Sequence, residues 1–175
     1  MHTHEILAVA SAIVPERPAI TFDDQTITFK ELATRSNRLA NALAELGVTA
    51  GDRIAVIDVN TPQHLEMYFA TARLDAIYVP LNFRDRAEEF RFPLEHTDPK
   101  VVLTGPRYTS LVDQLRPKSL NATILIVSGD ETGGWRSYEE LLSLGNEDEV
   151  RFPEGDPEDT AVLLFTAGTT GQPKA

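Results

Sequence analysis

Apolar runs and amphipathic stretches alternate along the chain, with short polar joins between them. Four of the runs are nearly free of polar residues, which is typical of strands buried on both faces of a parallel sheet. They span residues 53–58, 76–81, 100–105 and 123–129. Helical patterns fill the intervals, over residues 62–74, 85–96 and 107–115. Strands that alternate with helices predict an α/β layered fold, with a mostly parallel sheet and helices on both faces.

The residues before the first of these strands predict a short helix, a hairpin and a longer helix. Residues 5–14 predict an amphipathic helix rather than a secretory signal, because an acidic residue stands where a signal peptide has basic ones. Apolar residues alternate on either side of a polar turn across residues 18–29, which predicts a β-hairpin. Thr28 and Glu31 then have capping-box spacing, and a leucine stripe leads to Gly47, the expected end of a long helix.

Two further signals concern helix boundaries. Pro93 lies inside the pattern of residues 85–96 and must kink or end that helix, because proline lacks the N–H that a helix interior uses. Ser137 and Glu140 also have capping-box spacing, and they predict a short helix that runs through Leu144.

The charge is uneven. The net charge is −11, and the eleven acidic residues of residues 130–159, set against Arg136 and Arg151, account for −9 of it. A negative field without a basic patch argues against nucleic-acid binding. Residues 130–159 are interpreted as a solvated, mobile connection, and a docking surface for a basic partner is the alternative.

Length and composition narrow the class of protein. A chain of 175 residues with 42% apolar residues can bury the core of one domain. The absence of cysteine excludes disulfides and thiolate metal sites, and it fits a cytoplasmic protein. No apolar run approaches the roughly eighteen residues of a transmembrane helix.

The histidines and the one tryptophan are interpreted as structural. His2 and His4 are expected at the surface of the terminus, without partners in a metal-binding spacing. His64 and His96 fall within helical patterns and need no catalytic role. Trp135 is interpreted as a packing anchor.

The strongest chemical signal is the sequence TAGTTGQPKA, residues 166–175. The apolar run before it predicts a last strand over residues 161–166, and a strand that feeds a Gly/Thr loop with one lysine predicts a phosphate-binding loop. Glycines let backbone N–H groups approach phosphate oxygens, and threonine hydroxyls and Lys174 add donors. In parallel sheets, ligands bind at the carboxyl ends of strands, where this loop is expected.

Other phosphate and catalytic motifs do not fit this chain. A Walker P-loop ends in Gly-Lys-Ser/Thr, whereas Pro173 precedes the lysine here and Ala175 follows it. The dinucleotide fingerprint G-x-G-x-x-G does not occur, and no serine stands in a G-x-S-x-G setting. The sequence therefore does not support a P-loop NTPase, a Rossmann dehydrogenase or a hydrolase.

The segment FTAGTTGQPKA, residues 165–175, resembles the phosphate-loop signature of AMP-forming, adenylate-forming enzymes (the ANL superfamily), roughly (Y/F)-T-(S/A/G)-G-(S/T)-T-G-x-P-K-(G/A). The fixed positions that match are Thr166, Gly168, Thr169, Thr170, Gly171, Pro173 and Lys174. Ala167 replaces the commoner serine, which removes one hydroxyl. Residues 18–57 resemble the family's opening hairpin, long helix and next strand. Residues 78–104 resemble the family's next elements, and the sequence LNFR within them is closest to acyl- and aryl-CoA synthetases.

The resemblance implies a reaction and a set of contacts. The parent enzyme would activate a carboxylic acid with ATP and Mg²⁺, forming acyl-AMP and pyrophosphate, and a thiol, usually coenzyme A, would then take the acyl group. The implied contacts to the β- and γ-phosphates are Thr166, Gly168, Thr169, Thr170, Gly171 and Lys174. Ala167 and Pro173 would shape the loop, and no catalytic residue or metal ligand falls within the chain.

The resemblance also implies a domain organisation. Residues 1–175 correspond to the first part of the large AMP-binding domain, and the family's small C-terminal domain lies beyond them. We therefore expect the chain to be inactive alone. A peptide-synthetase-type adenylation domain and a non-catalytic scaffold are the alternatives, and an exposed sheet edge makes a homodimer possible.

Overall fold

The computed structural model describes residues 2–119, 122–148, 155–156 and 158–166, with side chains up to residue 115 in the first range. The helices are α1 (Thr3–Ile13), α2 (Phe29–Glu45), α3 (Pro62–Arg73), α4 (Ala87–Thr97), α5 (Thr109–Ser119) and α6 (Tyr138–Leu144). The strands are β1 (Pro18–Phe22), β2 (Gln25–Thr28), β3 (Arg53–Ile57), β4 (Ile77–Pro80), β5 (Val101–Thr104), β6 (Ile124–Val127) and β7 (Arg136–Ser137). The predicted hairpin and the four predicted buried strands are all present.

The main sheet has five parallel strands in the order β4-β3-β5-β6-β7, and β1 and β2 form a separate antiparallel hairpin. In the central register, Ile54 of β3 lies opposite Tyr78 of β4 on one side and Val101 of β5 on the other. Helices connect β3, β4, β5 and β6 in turn, as the alternating sequence pattern predicts, whereas β6 leads to β7 through residues 128–135 without a helix. The predicted α/β class with a parallel sheet is confirmed.

Helices cover both faces of the sheet, which creates two cores. Ile54 and Val56 of β3 belong to the first core, whereas the residues between and after them, Ala55 and Ile57, belong to the second. Side chains of α2, α3 and α6 fill the first core, and side chains of α4 and α5 fill the second. Successive residues of a strand point to opposite faces, so an unbroken apolar run is buried on both sides.

Local signals explain the longest helix, α2. The Thr28 hydroxyl accepts from the Glu31 N–H at 3.2 Å, and the Glu31 carboxylate accepts from the Thr28 N–H at 2.8 Å. This reciprocal pair is the predicted capping box. After the helix ends, Gly47 has φ +87°, which is the left-handed conformation that glycine adopts without strain.

Two boundary predictions hold only in part. Pro93, predicted to kink or end its helix, does not end it, because α4 continues to Thr97, whose hydroxyl donates to the Pro93 carbonyl oxygen at 2.7 Å. Ser137 precedes α6 as predicted, but its side chain makes no capping hydrogen bond. Ser137 instead belongs to β7 and pairs with Val127, because the chain here completes the sheet before it turns into the helix.

The first part of the acidic stretch, residues 130–148, contributes side chains to both cores of the domain. Trp135 is 1% exposed within the second core, and its indole N–H donates to the Asp113 carboxylate at 3.2 Å. Tyr138 and Leu141 are buried in the first core. The acidic side chains lie on the outside of this region, while Trp135, Tyr138 and Leu141 are buried and Leu144 is 68% exposed. The prediction of Trp135 as a packing anchor is confirmed.

None of the helices within the described ranges combines the length and the apolar character that crossing a bilayer requires.

Candidate functional site

The segment of residues 161–166 approaches the sheet beside β4. The Tyr78 N–H donates to the Ala161 carbonyl oxygen at 2.9 Å, and the Leu163 N–H donates to the Tyr78 carbonyl oxygen at 2.9 Å. These bonds form one parallel bridge, between Tyr78 and Val162. Because the segment runs parallel to β4, it delivers Thr166 to the carboxyl edge of the sheet, where ligands bind in folds of this type.

The prediction of a full strand over residues 161–166 is corrected by this geometry. In a parallel ladder the next donor on β4 after Tyr78 is residue 80, two positions on. That residue is Pro80, which has no N–H to offer to Leu163. The ladder with β4 therefore stops after one bridge.

Side-chain packing continues where the ladder stops. Val162 packs against the first core, whereas Leu163 and Phe165 pack against the second. Leu164 points away and is 61% exposed. The alternation is that of a strand, so the apolar run keeps its predicted role of delivering the loop.

Of the predicted phosphate contacts, Thr166 lies within the described part of the chain, and its side chain is exposed at the carboxyl edge. The other predicted contacts, Gly168, Thr169, Thr170, Gly171 and Lys174, and the loop-shaping residues Ala167 and Pro173, lie outside the described residues. The structure thus gives the position from which the predicted phosphate loop starts.

Phe165, directly before Thr166, contacts two rings of α4. Phe92 and His96, one helical turn apart, are stacked with ring centroids 5.5 Å apart and planes at 15°. The Phe165 ring meets both of them edge to face, at 6.3 Å and 88° from Phe92 and at 6.3 Å and 85° from His96. This edge-to-face geometry is one that aromatic pairs favour.

A polar cluster that the sequence analysis missed joins three strand ends at the same edge. The Asp58 carboxylate, just after β3, accepts from the Val59 N–H at 2.8 Å and from the Ser128 hydroxyl at 2.9 Å. Ser128 follows β6, and Gly105 follows β5. A Cβ at Gly105 would collide with the Asp58 carboxylate, so a larger residue there would displace that side chain. A polar residue or glycine directly after each buried run was the signal available in the sequence.

His64 links the start of α3 to β4. Its Nε2 lies 3.2 Å from the Asp58 carbonyl oxygen, which can only accept, and its Nδ1 lies 2.8 Å from the Tyr78 hydroxyl. Nε2 therefore carries the hydrogen and Nδ1 accepts from Tyr78. Burial, and to a lesser extent Tyr68, raises the pKa of Tyr78 above the ordinary tyrosine value, so the hydroxyl stays a donor. Tyr78, whose backbone pairs with the 161–166 segment, is therefore also held through its side chain by His64.

A second missed cluster contains a buried carboxylate. Arg35 donates from Nε and Nη2 to the two oxygens of Glu66 at 2.7 and 3.1 Å, and it donates to Glu139 at 2.7 Å. The Tyr138 hydroxyl donates to Glu66 at 2.6 Å. Burial alone would lower the pKa of Arg35, but its hydrogen bonds to Glu139 and Glu66 raise it above the ordinary arginine value. Glu66 lies within the apolar sequence HLEMYFA, which was the signal for a buried, paired charge.

A cavity of about 650 Å³ lies beside this cluster, between the hairpin and the first turns of α2 and α3. Lys30, Glu31, Arg35, Glu66 and Glu139 line part of it, whereas Thr166 is not one of its lining residues. The cavity and the loop start are therefore separate features. Among the described residues, no group of three or more His, Asp or Glu side chains is placed to hold a metal ion.

Comparison with known proteins agrees with this arrangement. The family model described as AMP-binding enzyme matches residues 7–175. Indoleacetate–CoA ligase of Aromatoleum aromaticum is 33% identical over 164 residues, which cover 94% of this chain and 32% of that protein. The N-terminal domain of FACL13 from Mycobacterium tuberculosis superimposes with a TM-score of 0.84 at 27% identity, covering 99% of this chain and 43% of that one.

A further solved structure supports the fold alone. The anthranilate CoA ligase AuaEII, in complex with anthranoyl-AMP, gives a TM-score of 0.93 at 21% identity, covering 99% of this chain and 33% of that one. The chain spans about a third of the length of the curated relatives it matches. The match over residues 7–175, the parallel sheet and the loop sequence after Phe165 agree, and the chain belongs to the AMP-binding enzyme family.

Proposed function

We propose that the chain forms the phosphate-binding part of an ATP-dependent ligase that activates carboxylic acids. In this reaction a carboxylate oxygen attacks the α-phosphate of ATP, the bond to the β-phosphate breaks, and acyl-AMP and pyrophosphate form. The acyl group then passes to the thiol of coenzyme A. The observation that carries the proposal is the 161–166 segment, which brings the start of a Gly/Thr loop to the carboxyl edge of a parallel sheet.

The loop composition suits the charge that develops on the leaving pyrophosphate. Backbone N–H groups, threonine hydroxyls and one ammonium group can donate to phosphate oxygens, and charge-assisted hydrogen bonds of this kind are the strong ones. We assign the β- and γ-phosphate contacts to the loop's donors, Thr166, Gly168, Thr169, Thr170, Gly171 and Lys174. Ala167 and Pro173 set the path of the chain between them. Mg²⁺ would neutralise part of the phosphate charge.

The same proposal includes the thiol acceptor, the cellular location and the oligomeric state. The relatives named as CoA ligases favour coenzyme A over the carrier protein of a peptide-synthetase-type domain. We place the reaction in the cytoplasm, and homodimer formation is a property to be measured. A non-catalytic scaffold is the competing class, and it predicts no carboxylate-dependent chemistry at all.

The test is carboxylate-dependent exchange of labelled pyrophosphate into ATP, with the protein expressed from its natural reading frame and a panel of fatty and aromatic acids. We expect exchange with at least one acid, and we expect Lys174→Ala to lower its kcat/KM about 10²- to 10³-fold, as loss of one oxyanion-stabilising donor does. Lys30→Ala, an exposed lysine of α2, is the matched control and should leave the rate unchanged.

Two results would contradict the proposal: no exchange with any acid, or full exchange in Lys174→Ala. The 175-residue chain by itself should show no exchange, because it spans about a third of the length of its relatives. Exchange by the isolated chain would show that residues 1–175 contain all the groups that adenylation needs.

A further inference from the structure

The start of the predicted phosphate loop is held by side chains as well as by backbone pairing. Only one bridge joins the 161–166 segment to β4, because Pro80 cannot donate the next hydrogen bond of the ladder. Thr166 lies three residues beyond Leu163, the last residue of this segment that donates to Tyr78. Phe165, the residue directly before Thr166, adds a side-chain contact with α4.

The Phe165 ring packs against a surface formed by two aromatic rings of α4. Phe92 and His96 come from consecutive turns of α4, and their parallel rings form one flat surface that the Phe165 ring meets at nearly a right angle. Phe92 and Phe165 are half-buried and His96 is exposed, so this aromatic cluster lies at the surface of the second core rather than inside it. Of its three rings, Phe165 packs against the second core, whereas Phe92 and His96 are not among the core residues.

We propose that Phe92 and His96 are positioning residues for ATP: they fix the Phe165 ring and thereby the place at which the phosphate loop leaves the sheet. The inference rests on the proposed function of that loop. Consecutive Cα atoms are about 3.8 Å apart, so a shift of Phe165 moves Thr166 with little attenuation. Misplacing a binding group by about 1 Å can cost on the order of 100-fold in rate.

The ring at position 96 has the properties that this role requires. An imidazole presents a flat face to Phe92 and an edge to Phe165, while its nitrogens can face water. A phenylalanine would keep the flat face, and an alanine would remove it. His96→Phe should therefore retain the function of the cluster, and His96→Ala should lose it.

The first arm of the test measures, without nucleotide, how strongly the 161–166 segment is protected from hydrogen–deuterium exchange. In the protein expressed from its natural reading frame, hydrogen–deuterium exchange of a peptide spanning residues 161–166 should become about tenfold faster in Phe92→Ala and His96→Ala. Leu164→Ala is the matched control, because this exposed side chain belongs to the same segment and points away from α4. His96→Phe should exchange at the wild-type rate.

The second arm measures ATP use. Phe92→Ala and His96→Ala should raise the KM for ATP about tenfold in the exchange assay, while the KM for the carboxylic acid stays within about twofold of wild type. His96→Phe and Leu164→Ala should behave as wild type. A cluster that merely contributed stability would lower the melting temperature and leave the KM for ATP unchanged, or would raise both KM values together.

The outcomes separate this inference from the proposed function. An active wild type whose KM for ATP is the same in Phe92→Ala and His96→Ala overturns the inference alone. Unchanged deuterium uptake at residues 161–166 in both variants overturns it as well. A wild type that lacks exchange with every acid overturns the proposed function, and the inference that rests on it falls too.

Discussion

The two edges of the described five-stranded sheet are joined to their neighbours by different kinds of contact. At the β7 edge, helix α6 follows the strand directly, and its Tyr138 reaches Glu66, which has 0% of its side chain exposed and pairs with Arg35. At the β4 edge, one bridge to Tyr78 and a surface cluster of aromatic rings contact the 161–166 segment. The first edge is fixed by buried charge, and the second by a few separable contacts.

This difference matches the roles of the two edges. A buried carboxylate without partners is costly, so each partner of Glu66 is held strongly in place. A loop that binds a ligand must be able to adjust, and such loops come from the less stable parts of a domain. We therefore expect substitutions at the β7 edge to change the stability of the whole domain. Substitutions at the β4 edge should act mainly on the segment that leads to the loop.

The largest expected effect comes from Arg35→Met, which leaves Glu66 buried without its cationic partner. Removing one member of a buried ion pair costs about 3–5 kcal/mol, and we expect about 3 kcal/mol in the free energy of unfolding because the Arg35 side chain is 28% exposed. Urea unfolding monitored by Trp135 fluorescence measures it.

Arg38→Met provides the control for this change. The ion pair of Arg38 with Glu147 has side chains that are 40% and 65% exposed. A pair of this kind contributes about 0–1 kcal/mol. Equal losses in the two variants would mean that burial of Glu66 does not distinguish the two pairs.

The next effect is that of Tyr138→Phe, which keeps the ring in the first core and removes the hydrogen bond to Glu66. A hydrogen bond to a charged group contributes about 1.5–3 kcal/mol, so we expect a loss of about 2 kcal/mol. Glu139→Gln is the comparison, because that carboxylate is 61% exposed and its loss should cost under about 1 kcal/mol. If Glu139→Gln proved the more damaging variant, the exposed ion pair of Arg35 with Glu139 would contribute more than the buried hydrogen bond of Tyr138 to Glu66.

The local features of the fold could be predicted from sequence because their causes are local. The Thr28–Glu31 capping box, Gly47 and the four apolar runs each depend on residues close in the chain. The Arg35–Glu66 pair could not be predicted in this way, because its members are 31 residues apart and a polar–apolar pattern assigns charged residues to the surface. Only tertiary packing places Glu66 between α2 and α6.

The candidate site was predictable to a similar extent. The position of Thr166 at the carboxyl edge follows from the rule that strands in a parallel sheet deliver their loops to one side. The single bridge to β4 also has a signal in the sequence, since Pro80, the last residue of β4, cannot donate to a ladder. The contact of Phe165 with Phe92 and His96 depends on how α4 packs, and no local pattern encodes it.

Alkaline pH should lower the stability of the domain through one buried tyrosine at each edge, Tyr138 and Tyr78. Burial, followed by the charge of Glu66, raises the pKa of Tyr138 well above its ordinary value, and burial raises the pKa of Tyr78. Above the unfolded tyrosine pKa of about 10, the unfolded chain loses protons that the folded chain keeps. Stability is therefore full below about pH 10 and decreases as pH rises, by about 1.4 kcal/mol per pH unit for each tyrosine.

Unfolding curves between pH 9 and 11 measure this slope. Tyr138→Phe and Tyr78→Phe should each reduce the loss of stability by about 1.4 kcal/mol per pH unit, the contribution of one tyrosine. An unchanged slope in both variants would show that other groups control the alkaline response.

The smallest expected effect belongs to the β4 edge. Tyr78→Phe removes the hydroxyl that donates to His64 Nδ1, a hydrogen bond between neutral groups with an expected contribution of about 0.5–1.5 kcal/mol. We expect about 0.5 kcal/mol, because His64 is only partly buried and its nitrogen can accept from water instead. The backbone bonds of Tyr78 to Ala161 and Leu163 remain in this variant. Deuterium uptake at residues 161–166 should therefore change less than in Phe92→Ala, although Tyr78 lies nearer to the bridge. A larger change in Tyr78→Phe would show that the strand edge, and not the aromatic cluster of α4, controls where the chain leaves the sheet.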